Sequence, residues 1–272
     1  MMMRDRLSIY SLLFISICTQ AQETKLLFKT SLPYQVDQVS VDRLGGLYLF
    51  GNQSLMHLDA DGKILDTRDT FQKANPIILE TWNPLRIWIY DGSTSGFQVR
   101  LLDHFLDDSF PALQIDSALA IEPIAIIPGN DNHTAWVMDL DYSVKFIELL
   151  NNKILSESEP IFERATLMPT IQFRAHQGFL FILTKGQEIL VLGRTGKIVK
   201  KIKSPQASWL GVLGEDIYFH SPGKLTFIDI YTGDSYTVPV SANAQFVVAT
   251  DERIFEIENK ELTIFQFNPK QD

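Results

Sequence analysis

Six short segments of this chain are apolar at nearly every position and carry a bulky residue at the centre. They are Gly46-Leu-Tyr48-Leu-Phe50, Arg86-Ile-Trp88-Ile-Tyr90, Thr134-Ala-Trp136-Val-Met138, Gly178-Phe-Leu180-Phe-Ile182, Asp216-Ile-Tyr218-Phe219 and Arg253-Ile-Phe255-Glu-Ile257. Their central residues stand 40, 48, 44, 38 and 37 positions apart. A strand with one wet face alternates apolar and polar side chains, whereas these segments have no polar face. Such a strand has to be covered by sheet on both sides. Recurrence near 40 residues, in β-branched and aromatic sequence, is the signature of blades stacked around an axis.

The rest of each unit follows the same grammar. A second apolar strand precedes each segment, at 38–41, 77–82, 121–127, 170–173, 209–213 and 246–250, and a third follows it, at 55–58, 97–101, 144–149, 188–192, 225–230 and 262–267. Hairpin turns such as Asp59-Ala-Asp61-Gly62 and Gly193-Arg-Thr-Gly196 then lead to a more polar outer strand. Residues 100–108 alone read equally well as helix or strand. The sixth unit ends at Phe267 without its outer strand, and an unassigned strand, Lys25-Leu-Leu-Phe-Lys-Thr30, stands at the other end. Joining them closes a ring and removes exposed edges. The expected fold is therefore all-β: a six-bladed β-propeller of four-stranded antiparallel blades, the N-terminal strand completing the last blade.

The first unit, Gly46-Leu-Tyr-Leu-Phe through Asp59-Ala-Asp61-Gly62, resembles one repeat of the NHL-like and related six-bladed propeller families. Their blades read Gly-x-hydrophobic-Tyr, then Asp or Asn, then a strand ending in Asp-x-x-Gly. The match is good in the first, fourth and fifth units. Asp91 and Asp139 fit the aspartate that these families place after the second strand, and Gly51 and Ser221 do not. The resemblance implies a fold and no substrate, because propellers carry many functions.

Ahead of the repeats, Arg4 and Arg6 precede an apolar run from Leu7 to Ile17, and Thr19-Gln20-Ala21 precedes Gln22. This pattern reads as a secretory leader over 1–21, cleaved after Ala21, with a single propeller domain over 22–272. The run is too short to cross a bilayer, which takes about 20 apolar residues. Its Ala-Gln junction looks bacterial, so export to the periplasm or cell surface is the expected location. The only cysteine, Cys18, lies in the leader, so the mature chain has no disulfide, zinc–cysteine site or thiol nucleophile. Without Arg4, Asp5 and Arg6, the mature chain carries 22 basic and 32 acidic residues, a net charge of −10. No basic stripe is present, which argues against nucleic acid as a partner. No further long apolar run exists, so no transmembrane segment is expected in the mature chain.

No residue set specifies a reaction or a cofactor. Asp59-x-Asp61-Gly62 lacks the later ligands of a calcium loop and reads as a hairpin turn. His57, His104, His133, His176 and His220 are scattered through the units, and no Gly-x-Ser-x-Gly elbow occurs. Related propellers that act as sugar-lactone hydrolases or lyases hold a metal in the tunnel with acidic and amide side chains. By that resemblance Glu80 and Glu122, in innermost strands, are the acids to nominate. The reading favoured is an exported, non-catalytic binding or scaffolding propeller, a subunit of a bacterial envelope assembly with a protein or glycan partner. The alternative is a metal-dependent sugar-lactone hydrolase or lyase. One face of the ring should carry the turns 91–96, 139–142, 185–187 and 221–223 with the connectors 69–75, 108–112 and 156–164. Phe71, Phe110 and Phe162 stand in successive connectors, and with Asp91, Asp139, Asp141 and Tyr142 they form the expected partner-binding set.

Overall fold

The computed structural model describes residues 24–69, 78–90, 98–129, 131, 133–163 and 170–269. The described chain begins with β1 (Lys25–Ser31), which belongs to the last blade. Blade one is the meander β2 (Gln38–Val41), β3 (Leu47–Gly51), β4 (Ser54–Leu58) and β5 (Ile64–Arg68). Blade two is β6 (Ile78–Glu80), β7 (Ile87–Tyr90), β8 (Gln98–Leu102) and β9 (Leu113–Gln114). Blade three is β10 (Pro123–Pro128), β11 (Thr134–Asp139), β12 (Val144–Glu148) and β13 (Lys153–Glu157). Blade four is β14 (Thr170–His176), β15 (Phe179–Thr184), β16 (Glu188–Leu192) and β17 (Ile198–Lys203). Blade five is β18 (Trp209–Leu213), β19 (Asp216–Ser221), β20 (Lys224–Asp229) and β21 (Ser235–Pro239). Blade six runs β22 (Phe246–Ala249), β23 (Arg253–Glu258), β24 (Glu261–Gln266) and then β1.

The chain ends meet as the repeat count requires. Lys25 pairs with Gln266 and Ser31 with Glu261, with a bulge between Leu26 and Phe28. The Lys29 ammonium lies 2.6 Å from the Glu261 carboxylate. The innermost strands β2, β6, β10, β14, β18 and β22 touch in that order, and β22 touches β2, so the ring is closed.

Burial follows from this stacking. Strands β3, β7 and β11 are buried at every position, because each blade is covered by a neighbour on both faces. The six central residues Tyr48, Trp88, Trp136, Leu180, Tyr218 and Phe255 are all 3% exposed or less. Outer strands have one wet face, and β13 alternates strictly between exposed and half-buried positions. Tyrosine hydroxyls tie blades together: Tyr90 donates to the Pro123 carbonyl at 2.5 Å, and Tyr218 accepts from the Ala249 amide at 3.0 Å. Tyr218 lies flat across its cross-strand partner Gly211, where any Cβ would stand 2.1 Å from the ring. Burial pushes the Tyr218 phenol up to about 12.

Several strand boundaries differ from the sequence reading by one to three residues, and three of the differences have a clear local reason. Residues 100–108 are strand and then turn. β8 ends at Leu102, and the Asp103 carboxylate accepts the amides of Phe105 and Asp107 at 3.0 Å each. Leu106, at φ 63°, turns inward and is buried beside Phe50, Leu79 and Ile89. The inner strand of blade three starts at Pro123 rather than Ile121, because the Asp139 carboxylate takes the amides of Ile121 and Glu122. The inner strand of blade two ends at Glu80, which leaves Trp82 on the turn that follows.

Candidate functional site

Each blade has two ends. The turns from first to second strand and from third to outer strand form one face of the ring, the turn face. The turns from second to third strand and the links to the next blade form the other, the connector face.

The residues expected to bind a partner separate when placed on this frame. Phe71 and Asp91 lie outside the described residues. Asp139 is buried, and its carboxylate accepts the Ile121 amide at 3.2 Å, the Glu122 amide at 2.8 Å and the Lys145 ammonium at 2.8 Å. It clamps the incoming connector to blade three. Lys145 is also 3.7 Å from Glu157. Burial alone would lower the Lys145 pKa, but the Asp139 carboxylate outweighs it and holds the ammonium above the usual lysine range. Tyr142, at φ 65°, is buried with its ring edge-on to Phe162, centroids 5.7 Å apart. Phe162 in turn packs on the core cluster shared by blades two, three and four. Asp141 accepts the Ser143 amide at 2.9 Å.

Phe110 is 40% exposed, but it does not stand in a connector between blades. The outer strand of blade two is the short β9, so residues 103–112 link the third strand to the outer one. Asp108 is held there by Arg68 and by Arg100, the latter at 3.0 Å. Phe110 therefore stands in a link within blade two, three residues before Leu113, which pairs with Val99 near the start of β8.

The two nominated acids are not brought together either. Glu80 is the last residue of β6, at the turn-face end of blade two. Glu122 precedes β10, at the connector end of blade three, and is exposed. Glu80 sits in the tunnel, where Oε1 accepts the Trp82 amide at 3.0 Å and Oε2 is 3.9 Å from Nη1 of Arg174. The Arg174 guanidinium donates to the Phe173 carbonyl at 3.2 Å and lies 5.0 Å from the centre of the Trp209 ring. These residues form a bar across the tunnel from blade two to blades four and five. Among the described residues no three histidines, cysteines or acids form a group able to hold a metal ion.

The histidines have separate duties. His57 stacks on Tyr48 at 4.2 Å and His220 shares a hydrogen bond with Ser208 at 3.1 Å, both inside the fold. His176 ends β14 at the tunnel mouth, with Nε2 2.7 Å from the Gly214 carbonyl. Burial lowers its pKa, so the ring is neutral at pH 7.

Beyond the bar, the turn face opens into a cleft of about 350 Å³, lined by Arg43 of blade one, Trp82, Asn83 and Arg86 of blade two, Asp131 of blade three and His176 of blade four. A second hollow of about 290 Å³ lies on the side of blades five and six and shares Arg43 and Trp82 with the first. Trp82 is 44% exposed between them. The acids of the first cleft are engaged: Glu80 as above, and Asp131 by the Thr134 hydroxyl at 2.8 Å and the His133 amide at 2.9 Å. Arg43 has no acidic partner among the described residues, and Arg86 is half-buried in the cleft wall. Sequence reasoning placed Trp82 at the end of an apolar strand. The one signal against that was the Asn83-Pro84 turn directly after it.

No protein-family model matches this chain, and no curated protein does. Solved structures do resemble it. One is virginiamycin B lyase from Staphylococcus aureus, with 13% identity and a TM-score of 0.56 over 90% of this chain and 100% of that one. Another is the WD40 β-propeller domain of Doa1, with 10% identity and a TM-score of 0.57 over 91% of this chain and 98% of that one. At these identities the likeness is one of fold, and the fold is a β-propeller.

Proposed function

We propose that this is an exported, non-catalytic binding or scaffolding propeller that recognises a protein or glycan of the bacterial cell envelope, as a subunit of an envelope assembly. The observation that carries this reading is the bar across the tunnel. The acid best placed for chemistry, Glu80, accepts the Trp82 amide and faces Arg174, and Arg174 is backed by Trp209. A closed ring with its tunnel barred is a rigid frame, and its mouth and rims are left for recognition. Export rests on the leader-like residues 1–21. The alternative, a metal-dependent hydrolase or lyase, needs ligands that converge, and Glu80 and Glu122 stand at opposite ends of neighbouring blades.

The test is fractionation and co-purification from the native envelope. The expected product is a mature chain beginning at Gln22, recovered outside the cytoplasm together with a defined partner. Retention in the cytoplasm with residues 1–21 attached would remove the envelope role. A stoichiometric divalent ion lost on replacing Glu80 or Glu122 would move the protein to the enzyme reading.

A further inference from the structure

Five of the six outer strands are short or guarded. β9 has 2 residues, β5 carries Asp66 and Arg68, and β13 carries Lys153 and Glu157. β17 carries Lys200, Lys201 and Lys203, and β21 ends on Pro239. Brevity, charge and proline are the usual means of keeping a sheet edge from joining another strand. β1 is built differently. It is the longest outer strand, at 7 residues, and every position but Thr30 is exposed. Leu26, Leu27 and Phe28 stand in a row, 55%, 43% and 43% exposed, where the bulge breaks the in–out alternation. Of its two lysines, Lys29 is matched by Glu261 of β24 at 2.6 Å, which weakens its power to guard the edge. The inner side of β1 pairs with β24, and among the described residues no strand pairs with its outer side. The apolar rim continues across the closure of the ring. A Cβ at Gly62 of blade one would stand 3.2 Å from the Phe28 ring, and the exposed Ile64 and Leu65 follow that glycine.

We propose that β1 pairs antiparallel with β1 of a second copy of this chain, making a two-fold dimer at the seam where the ring closes. The occupant follows from register. Full overlap of the 7 residues sets Phe28 opposite Phe28, Leu27 opposite Lys29, Leu26 opposite Thr30 and Lys25 opposite Ser31. No lysine then faces a lysine. A slip of two residues sets Lys25 opposite Lys29 in one direction and Lys29 opposite itself in the other. Like charges directly opposite destabilise a strand pair. A slip of one residue sets backbone groups that point outward against groups that point inward. The strand is thus complementary to itself in one register, which is what a two-fold interface requires. Outer strands form the perimeter of the ring, so a second ring can approach β1 without displacing a blade. Pairing supplies the outward amides and carbonyls with partners and sets the apolar side chains of the two strands side by side.

The test uses the chain from Gln22 onward, which contains every strand of the ring, in sedimentation equilibrium from about 1 to 300 μM. The expected result is a concentration-dependent equilibrium between monomer and dimer. Leu27 is the bulge residue without a partner on β24, so a charge placed there leaves the blade intact. Leu27→Lys faces Lys29 of the copy and should weaken the dimer about tenfold or more. Leu27→Glu faces the same lysine and should keep or strengthen it. Val199→Lys, at a similarly exposed apolar position on β17, should leave the dimer unchanged. Phe28→Cys supplies the one thiol of this chain, and oxidised glutathione should join two copies through it, whereas Val199→Cys should stay unlinked. The proposal is overturned if the chain is monomeric throughout the range or forms open-ended aggregates. It is equally overturned if Leu27→Lys and Leu27→Glu weaken the dimer alike, or if Val199→Cys cross-links as readily as Phe28→Cys.

Discussion

The two ends of the tunnel use charged residues in opposite ways. At the connector end, Asp139 and Lys145 are buried and spend their hydrogen-bonding capacity on two backbone amides and each other. At the turn end, Arg43 and Trp82 project into open clefts while the acids beside them are occupied. Both ends are rich in loop aspartates and aromatics, which is the composition usually associated with a binding face. The contrast teaches that an aspartate after a strand is first a way to satisfy free amides. A recognition surface is marked instead by groups whose own fold offers them no partner.

Four measurements would break or sharpen that contrast, and the largest effect belongs to the connector end. Asp139→Ala leaves a buried ammonium and two amides uncompensated, and should cost about 3–5 kcal/mol in denaturant unfolding. A loss under about 1 kcal/mol would mean that the clamp does not hold the connector. Arg174→Ala, which removes the centre of the tunnel bar, should cost roughly 1–3 kcal/mol, since a partly shielded carboxylate loses its cation. A variant as stable as the parent would make the bar incidental.

The third measurement is a pH profile. Lys145 is held above its ordinary range by Asp139, so its contribution is complete below the unfolded lysine pKa of about 10.4 and fades as pH rises through the higher folded value. The buried Tyr48 and Tyr218 phenols, also raised, weaken the fold in the same alkaline window, because the unfolded chain ionises first. The informative quantity is thus the difference between parent and Asp139→Asn, which should narrow as pH climbs past about 10.5. A constant gap would detach Lys145 from the clamp. The smallest effect is expected at Phe110→Ser, on an exposed loop, where melting should change by less than the equivalent of about 0.5 kcal/mol. If the co-purified partner is lost at unchanged stability, Phe110 is a contact. A large fall in melting temperature would make it core, against its exposure.

The architecture was legible in the sequence because propeller signals are local and repeated. Apolar segments without a polar face, hairpin turns such as Asp59–Gly62 and the missing sixth outer strand each reside in a few consecutive residues. The placement of side chains at the ring's ends was not legible in this way. Trp82 and Trp88 sit six positions apart in similar apolar surroundings, yet Trp88 is buried and Trp82 faces water. The difference lies in the strand ending at Glu80, whose carboxylate takes the Trp82 amide. Phe110 was misplaced because β9 is only two residues long and Arg68, from another blade, holds the loop before it.

By itself, then, the sequence determined the number of blades, the strand order and the way the termini meet, since these follow from periodicity and from the need to bury both faces of a strand. Tertiary structure alone decided which charges are used up and which are left over. That depends on residues about forty or more positions apart in the chain, Arg43 with Trp82 and Glu80 with Arg174, arriving at one end of one tunnel.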